Sequence, residues 1–152
     1  MDQLRTTNPS LIDFRKKFEL DGKVIIITGG CGLIGRAFSE ACAQFGAHVV
    51  LADIAESSPH EKATELEKRT GRKMIGVAVD VADKGSVSRL RDKTLETFGT
   101  IDGLINCHQN KSHLIFEPFE TVSEENWDKV IEVNLKGTFL LCQVIGSWMA
   151  QK

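Results

Sequence analysis

The residues with the most specific chemistry are Thr28-Gly29-Gly30-Cys31-Gly32-Leu33-Ile34-Gly35, a turn with four glycines in eight positions. Missing Cβ atoms let a backbone turn tightly, let a pyrophosphate approach the amides, and let a helix pack closely on the preceding strand. A helix opening at the end of such a turn would present free N–H groups and a partial positive charge to the phosphates. Taken alone, the glycines are also compatible with a tight strand-to-helix turn that holds no ligand. The next candidate is Asp53, eighteen residues after Gly35. A carboxylate there would accept from both hydroxyls of an adenosine ribose, and it would repel a 2′-phosphate. Ile54, rather than arginine, follows it. The pair therefore favours NAD over NADP, with a plain turn acid before a polar loop as the other reading of Asp53.

The elements that must position these groups follow from periodicity. Val24-Ile25-Ile26-Ile27 is unbroken by polar residues, as in a strand buried on both faces of a parallel sheet. Ile34, Ala37, Phe38, Ala41, Cys42 and Phe45 recur at helical spacing, and Gly46 supplies the stop of the helix they predict. Residues 48–52 form a second strand ending at Asp53. Ser58 offers an N-cap, Pro59 a first helical position and Gly71 a stop, for a surface helix over 59–70. Residues 74–79 form a third strand, leading through Asp80-Val81 to a helix over 83–98 closed by Gly99. Residues 101–106 form a fourth. Ser123, with Glu124 and Glu125 behind it, opens a long helix expected to carry Trp127, Val130, Ile131, Phe139, Cys142, Ile145 and Met149 toward the core, interrupted at Asn134 and Gly137.

Strands alternating with helices at this spacing specify right-handed crossovers and an α/β, doubly wound parallel sheet of Rossmann type, with strand order 3-2-1-4. Residues 1–20 form an N-terminal arm and residues 21–152 an NAD(P)-binding domain incomplete at its C-terminus, because the sequence ends inside a helix with no stop signal. A truncated chain is the expectation.

Composition narrows the function classes. At 152 residues, 41% hydrophobic and 26% charged, the chain can bury one core. A formal charge of -2 with no basic block argues against nucleic acid as a partner. Cys31, Cys42, Cys107 and Cys142 are scattered with no C-x-x-C pair, which fits reduced thiols in a cytoplasmic protein and suggests no metal site. His108 and His113 near Cys107 could suggest a metal ligand or a nucleophile, but their spacing fits no metal signature and they are read as surface or loop histidines, and Lys111 as solvated. The first residues lack the apolar core of a signal peptide, and no run was expected to approach the ~20 apolar residues of a membrane span.

From Phe18 to the end, the sequence resembles the short-chain dehydrogenase/reductase family. The likeness rests on the glycine turn, on Asp80-Val81, on Leu104-Ile105-Asn106-Cys107-His108-Gln109 and on Asn126-Trp127-Asp128-Lys129-Val130-Ile131-Glu132-Val133-Asn134-Leu135-Lys136-Gly137-Thr138-Phe139. By that resemblance Asp80 and Val81 hold the adenine ring. Asn106 and Cys107 border the cofactor, and Asn134 is the catalytic asparagine that helps hold a water-linked proton relay. An asparagine that breaks a helix by bonding the backbone is compatible with the same position. Candidate cofactor-binding residues are thus Thr28, Gly29, Gly30, Gly32, Leu33, Ile34, Gly35, Asp53, Ile54, Asp80, Val81, Asn106 and Cys107. The glycine spacing is similar to the family's extended, sugar-nucleotide branch, and the long helix to the compact branch, to which the chain is assigned. Cys107-His108-Gln109 stands where the family usually has Asn-Ala-Gly, placing bulk beside the cofactor's ribose.

The resemblance implies an NAD-dependent oxidoreductase interconverting an alcohol and a carbonyl, on a small and sugar-like substrate, oligomeric when full length. The family's catalytic serine, tyrosine and lysine fall beyond residue 152, and the sequence holds no tyrosine, so the chain alone is expected to be inactive. The alternatives are a non-catalytic dinucleotide-binding or regulatory protein, and an interaction module docking a partner on its last helix.

Overall fold

The computed structural model describes residues 14–110 and 118–152. Most of the expected arm, together with Lys111 and His113, lies outside the described residues. Four parallel strands, β1 (Val24–Thr28), β2 (His48–Asp53), β3 (Met74–Ala78) and β4 (Gly103–Asn106), form one sheet in the order β3-β2-β1-β4. This is the expected order. Helices α1 (Leu33–Gln44) and α2 (Pro59–Thr70) cover one face. Helix α3 (Lys84–Phe98) and a long central helix, Glu124–Ala150, cover the other.

Two-sided burial explains the unbroken apolar strands. Val24 and Ile26 of β1 face α3 and the central helix, while Ile25 and Ile27 face α1 and α2. Val50 and Ala52 of β2 divide from Val49 and Leu51 in the same way. Each fully buried aliphatic side chain contributes roughly 1.5–3 kcal/mol of burial. With cores on both faces, no strand position on β1 is free to be polar until Thr28, where the strand reaches the turn.

The termini obey local chemistry with one exception. Asp83 caps α3 by accepting from the amides of Gly85 and Ser86 at 3.0 and 2.9 Å, and Ser123 caps the central helix by accepting from Asn126 at 3.2 Å. Gly71 and Gly99 end α2 and α3 in the left-handed conformation. Ser58 does not cap α2 with its side chain: it is itself left-handed, at φ 50°, because the turn of residues Ala55–Ser57 before it delivers the chain from the wrong side.

Two helices bury different faces from those the spacing suggested. In α1 the buried residues are Gly35, Ser39, Cys42 and Ala43, while Ile34, Phe38 and Phe45 are exposed. The helix sits so close to β1 that only small side chains fit beneath it, and Ser39 satisfies its buried hydroxyl by donating to the Gly35 carbonyl at 2.8 Å. In the central helix, Leu140, Leu141, Val144 and Ile145 face the core, whereas Trp127 and Phe139 are 59% and 57% exposed and Cys142 is exposed. Two wide π turns, Glu132–Lys136 and Cys142–Gly146, account for the change, since each extra residue per turn rotates the apolar stripe. Asn134 lies in the first of them, and the helix continues through Gly137 without ending.

The central helix also corrects the membrane expectation in one respect: at 27 residues it is long and apolar enough to cross a bilayer by length and composition. Its inner face packs on the sheet and α3, as the core helix of a layered domain does. Among the described residues, β4 pairs with β1 alone, so the sheet's β4 edge is open.

Candidate functional site

The parallel arrangement brings the ends of all four strands to one side. Gly29 follows β1 at φ +63°, and a Cβ there would lie 2.6 Å from the Cys107 carbonyl carbon and oxygen, so the segment leaving β4 crosses directly over the turn. A Cβ on Gly35 would stand 2.1 Å from the Gly29 carbonyl oxygen. Both positions exclude any side chain because backbone meets backbone there. Helix α1 starts at this point with Gly32 as its N-cap, no capping side chain and no acid in its first turn. Its N-terminal amides are therefore left to solvent or to an anion.

Asp53 ties the turn to β2. Its Oδ2 accepts from the Cys31 amide at 2.9 Å and its Oδ1 from the Ile54 amide at 2.9 Å. Asp80, after β3, accepts from the Ala82 amide at 2.9 Å, and its own amide donates to Ser86 at 3.1 Å. Asp80 is thus fixed by local backbone in the loop after β3, whereas Asp53 is held both locally and by the distant glycine turn, and Val81 behind Asp80 is buried.

These loops enclose a cavity of about 620 Å³. Of the sequence candidates, Gly29 and Gly32 from the turn line it, with Asp53, Ile54, Asp80, Val81 and Cys107. The volume is that of a small-molecule or cofactor site, and it lies outside the carboxyl ends of parallel strands, where open α/β sheets bind ligands. An uncapped helix start, a cradle that a Cβ would fill and a fixed carboxylate at the end of β2 fit an adenine dinucleotide.

The other candidates stand differently. Gly30 and Gly35 pack the turn on the sheet, and Leu33 and Ile34 contribute the first backbone of α1 with side chains turned to solvent. Thr28 is buried at the end of β1, with its hydroxyl 3.4 Å from Asn106 Oδ1. Asn134 accepts at Oδ1 from the Asn110 amide at 2.8 Å, which joins the central helix to the segment after β4.

Several lining residues escaped the sequence reading, Lys62, Cys31 and His108 among them. Lys62 comes from α2, with no local signal beyond its charge. Cys31 was noticed only as an unpaired thiol; burial and then the neighbouring Asp53 carboxylate push it up to about 11, against the opposing charge of Lys62. His108 lies in the loop after β4, as read from the sequence, but it is half-buried there with Nδ1 2.7 Å from Thr28 Oγ1 and Nε2 3.5 Å from Thr138 Oγ1. Burial lowers its pKa below the usual histidine value, opposed by a hydrogen bond to the Val133 backbone and by Asp53. Burial also raises the Cys107 thiol. Among the described residues, no three His, Cys, Asp or Glu side chains gather as a metal site.

The sequence profile of the short chain dehydrogenases matches residues 23–152. The chain belongs to the short-chain dehydrogenase/reductase family. It is 36% identical to D-threitol dehydrogenase of Mycolicibacterium smegmatis over 92% of this chain and 52% of that one. It is 35% identical to an NAD-dependent glycerol dehydrogenase of Listeria innocua over 90% of this chain and 51% of that one. The structure resembles L-sorbose reductase of Gluconobacter frateurii, solved with NADPH and L-sorbose, with a TM-score of 0.78 and 30% identity over 88% of this chain and 50% of that one. The chain thus spans about half the length of the relatives it matches. Short-chain dehydrogenases bind NAD(P), and both forms of the cofactor occur among these relatives.

Proposed function

We propose that this chain binds NAD for an oxidoreductase reaction that interconverts an alcohol and a carbonyl. The observation that carries the reading is Asp53. Its carboxylate lines the cavity and is oriented by two amides, ready to accept from the vicinal hydroxyls of an adenosine ribose and opposed in charge to a 2′-phosphate. The bound nicotinamide would accept or donate the hydride. Around it, the glycine turn and the start of α1 would hold the pyrophosphate, Asp80 and Val81 the adenine, and Asn106 and Cys107 the neighbouring ribose. Asn134 would take the family's role in the proton relay.

A polyol or sugar-like substrate is part of this reading, supported by relatives named for threitol, glycerol and sorbitol. So are a cytoplasmic location, a domain spanning residues 21–152 and a homo-oligomeric full-length protein. The second reading is a dinucleotide-binding protein without catalysis.

Calorimetric titration with NAD and NADP tests the reading. Tighter binding of NAD supports it, preference for NADP removes the argument from Asp53, and failure to bind either cofactor overturns it. Polyol oxidation by this chain, which holds no tyrosine, would remove the second reading.

A further inference from the structure

His108 lies where three elements meet. Its Nδ1 approaches the Thr28 hydroxyl at the end of β1, its Nε2 approaches the Thr138 hydroxyl on the central helix, and its ring also hydrogen-bonds the Val133 backbone. The Thr138 hydroxyl in turn donates to the Asn134 carbonyl at 2.8 Å. The amide of Asn110, two residues beyond His108, donates to Asn134 Oδ1 at 2.8 Å. Both oxygens of Asn134 are therefore held by His108's hydroxyl partner or by its own segment.

The backbone permits this only at a gap. Val133 and Asn134 belong to the wide turn Glu132–Lys136, whose carbonyls are displaced from their α-helical partners. One residue later, a Cβ on Gly137 would stand 3.2 Å from His108 Nε2 and 2.7 Å from Val81 Cγ2. A side chain there would displace the imidazole.

We propose that His108 is a positioning residue that fastens the wide turn bearing Asn134 to the end of β1 and so holds the wall of the cavity beside Val81. The proposal rests on the dinucleotide reading above. The hydrogen-bond directions follow from the partners. The Thr138 proton is committed to the Asn134 carbonyl, so Thr138 Oγ1 accepts from His108, and the Val133 carbonyl also only accepts. Nε2 therefore carries the proton, and Nδ1 accepts from Thr28, whose other acceptor, Asn106 Oδ1, is farther away at 3.4 Å.

Two measurements on the whole chain test this. Imidazole 15N spectra at pH 8, assigned by the resonances lost in His108→Gln, should show a neutral ring protonated at Nε2; a ring protonated at Nδ1 overturns the proposal. Calorimetry with NAD should show His108→Ala binding roughly three- to tenfold more weakly than the unsubstituted chain. Unchanged NAD affinity overturns it. If His108→Ala does not fold, the same comparison is made with His108→Gln. Failure of the unsubstituted chain to bind NAD overturns the dinucleotide reading itself, and the ring spectra distinguish that result from a misassigned His108.

Discussion

The Cys31 amide donates to Asp53 Oδ2 at 2.9 Å, so the glycine turn after β1 and the end of β2 are one hydrogen-bonded unit across 22 residues of sequence. A carboxylate used in this way orients the turn and lines the cavity at once. Asp53→Ala is therefore expected to weaken NAD binding by about tenfold, or about 1.4 kcal/mol, while NADP binding falls less or improves. Parallel calorimetric titrations of the two cofactors measure this. An equal loss for both would reduce Asp53 to a support for the turn.

Gly35 has no room for a methyl group. With a Cβ at 2.1 Å from the Gly29 carbonyl oxygen, Gly35→Ala must push α1 off the turn, at a cost of about 1–3 kcal/mol or more. Urea denaturation should show that loss together with loss of ADP binding. Gly71→Ala provides the contrast: a Cβ there meets nothing within 4 Å, so only the strain of its left-handed backbone is felt and ADP binding should be unchanged.

The Cys31 thiol should be slow to react. Only the thiolate attacks iodoacetamide, and raising the thiol from 9.0 to about 11 lowers the thiolate fraction at pH 8 by roughly a hundredfold. The alkylation rate at Cys31 should climb about tenfold per pH unit from 8 to 10. Peptide mass mapping against pH reads it, with the exposed Cys142 as the faster internal reference. Because Cys31 lines the cavity, NAD should slow its labelling and leave Cys142 unaffected.

Asp83 should make part of the stability depend on acid. The Gly85 and Ser86 amides hold its carboxyl below the ordinary 3.8. A depressed folded pKa gives stability that is fully present above the unfolded value and is lost as pH falls through the folded one. Asp83→Ala should therefore melt below the unsubstituted protein by a constant margin at neutral pH, and the margin should narrow as the pH is taken below 3.8. A margin that holds unchanged through that range would mean the cap is not made by the ionised side chain.

The central helix offers a test of its altered phase. Ile145 is fully buried, so Ile145→Ala should cost about 2–5 kcal/mol. Phe139→Ala, at a position 57% exposed, should change the stability of this chain by no more than about 0.5 kcal/mol. Ile145 faces the core on either phase, so a loss at Phe139 as large as that at Ile145 in urea denaturation would restore the phase suggested by simple helical spacing.

The sequence by itself determined the strands, their order and the glycine turn, because these depend on local rules. Unbroken β-branched runs need two covered faces, glycines at 29 and 35 mark close backbone approaches, and caps such as Asp83 and Ser123 act within three residues of themselves. It also determined the family, through residues spread from the turn to the central helix. Tertiary structure alone decided which face each helix buries. Distance to the sheet turned α1 onto its small residues, and two wide turns rotated the central helix, and neither is encoded in a 3.6-residue period. The role of His108 was decided in the same way, because its partners Thr28 and Thr138 lie 80 and 30 residues away in sequence and meet only when β1, β4 and the central helix have packed.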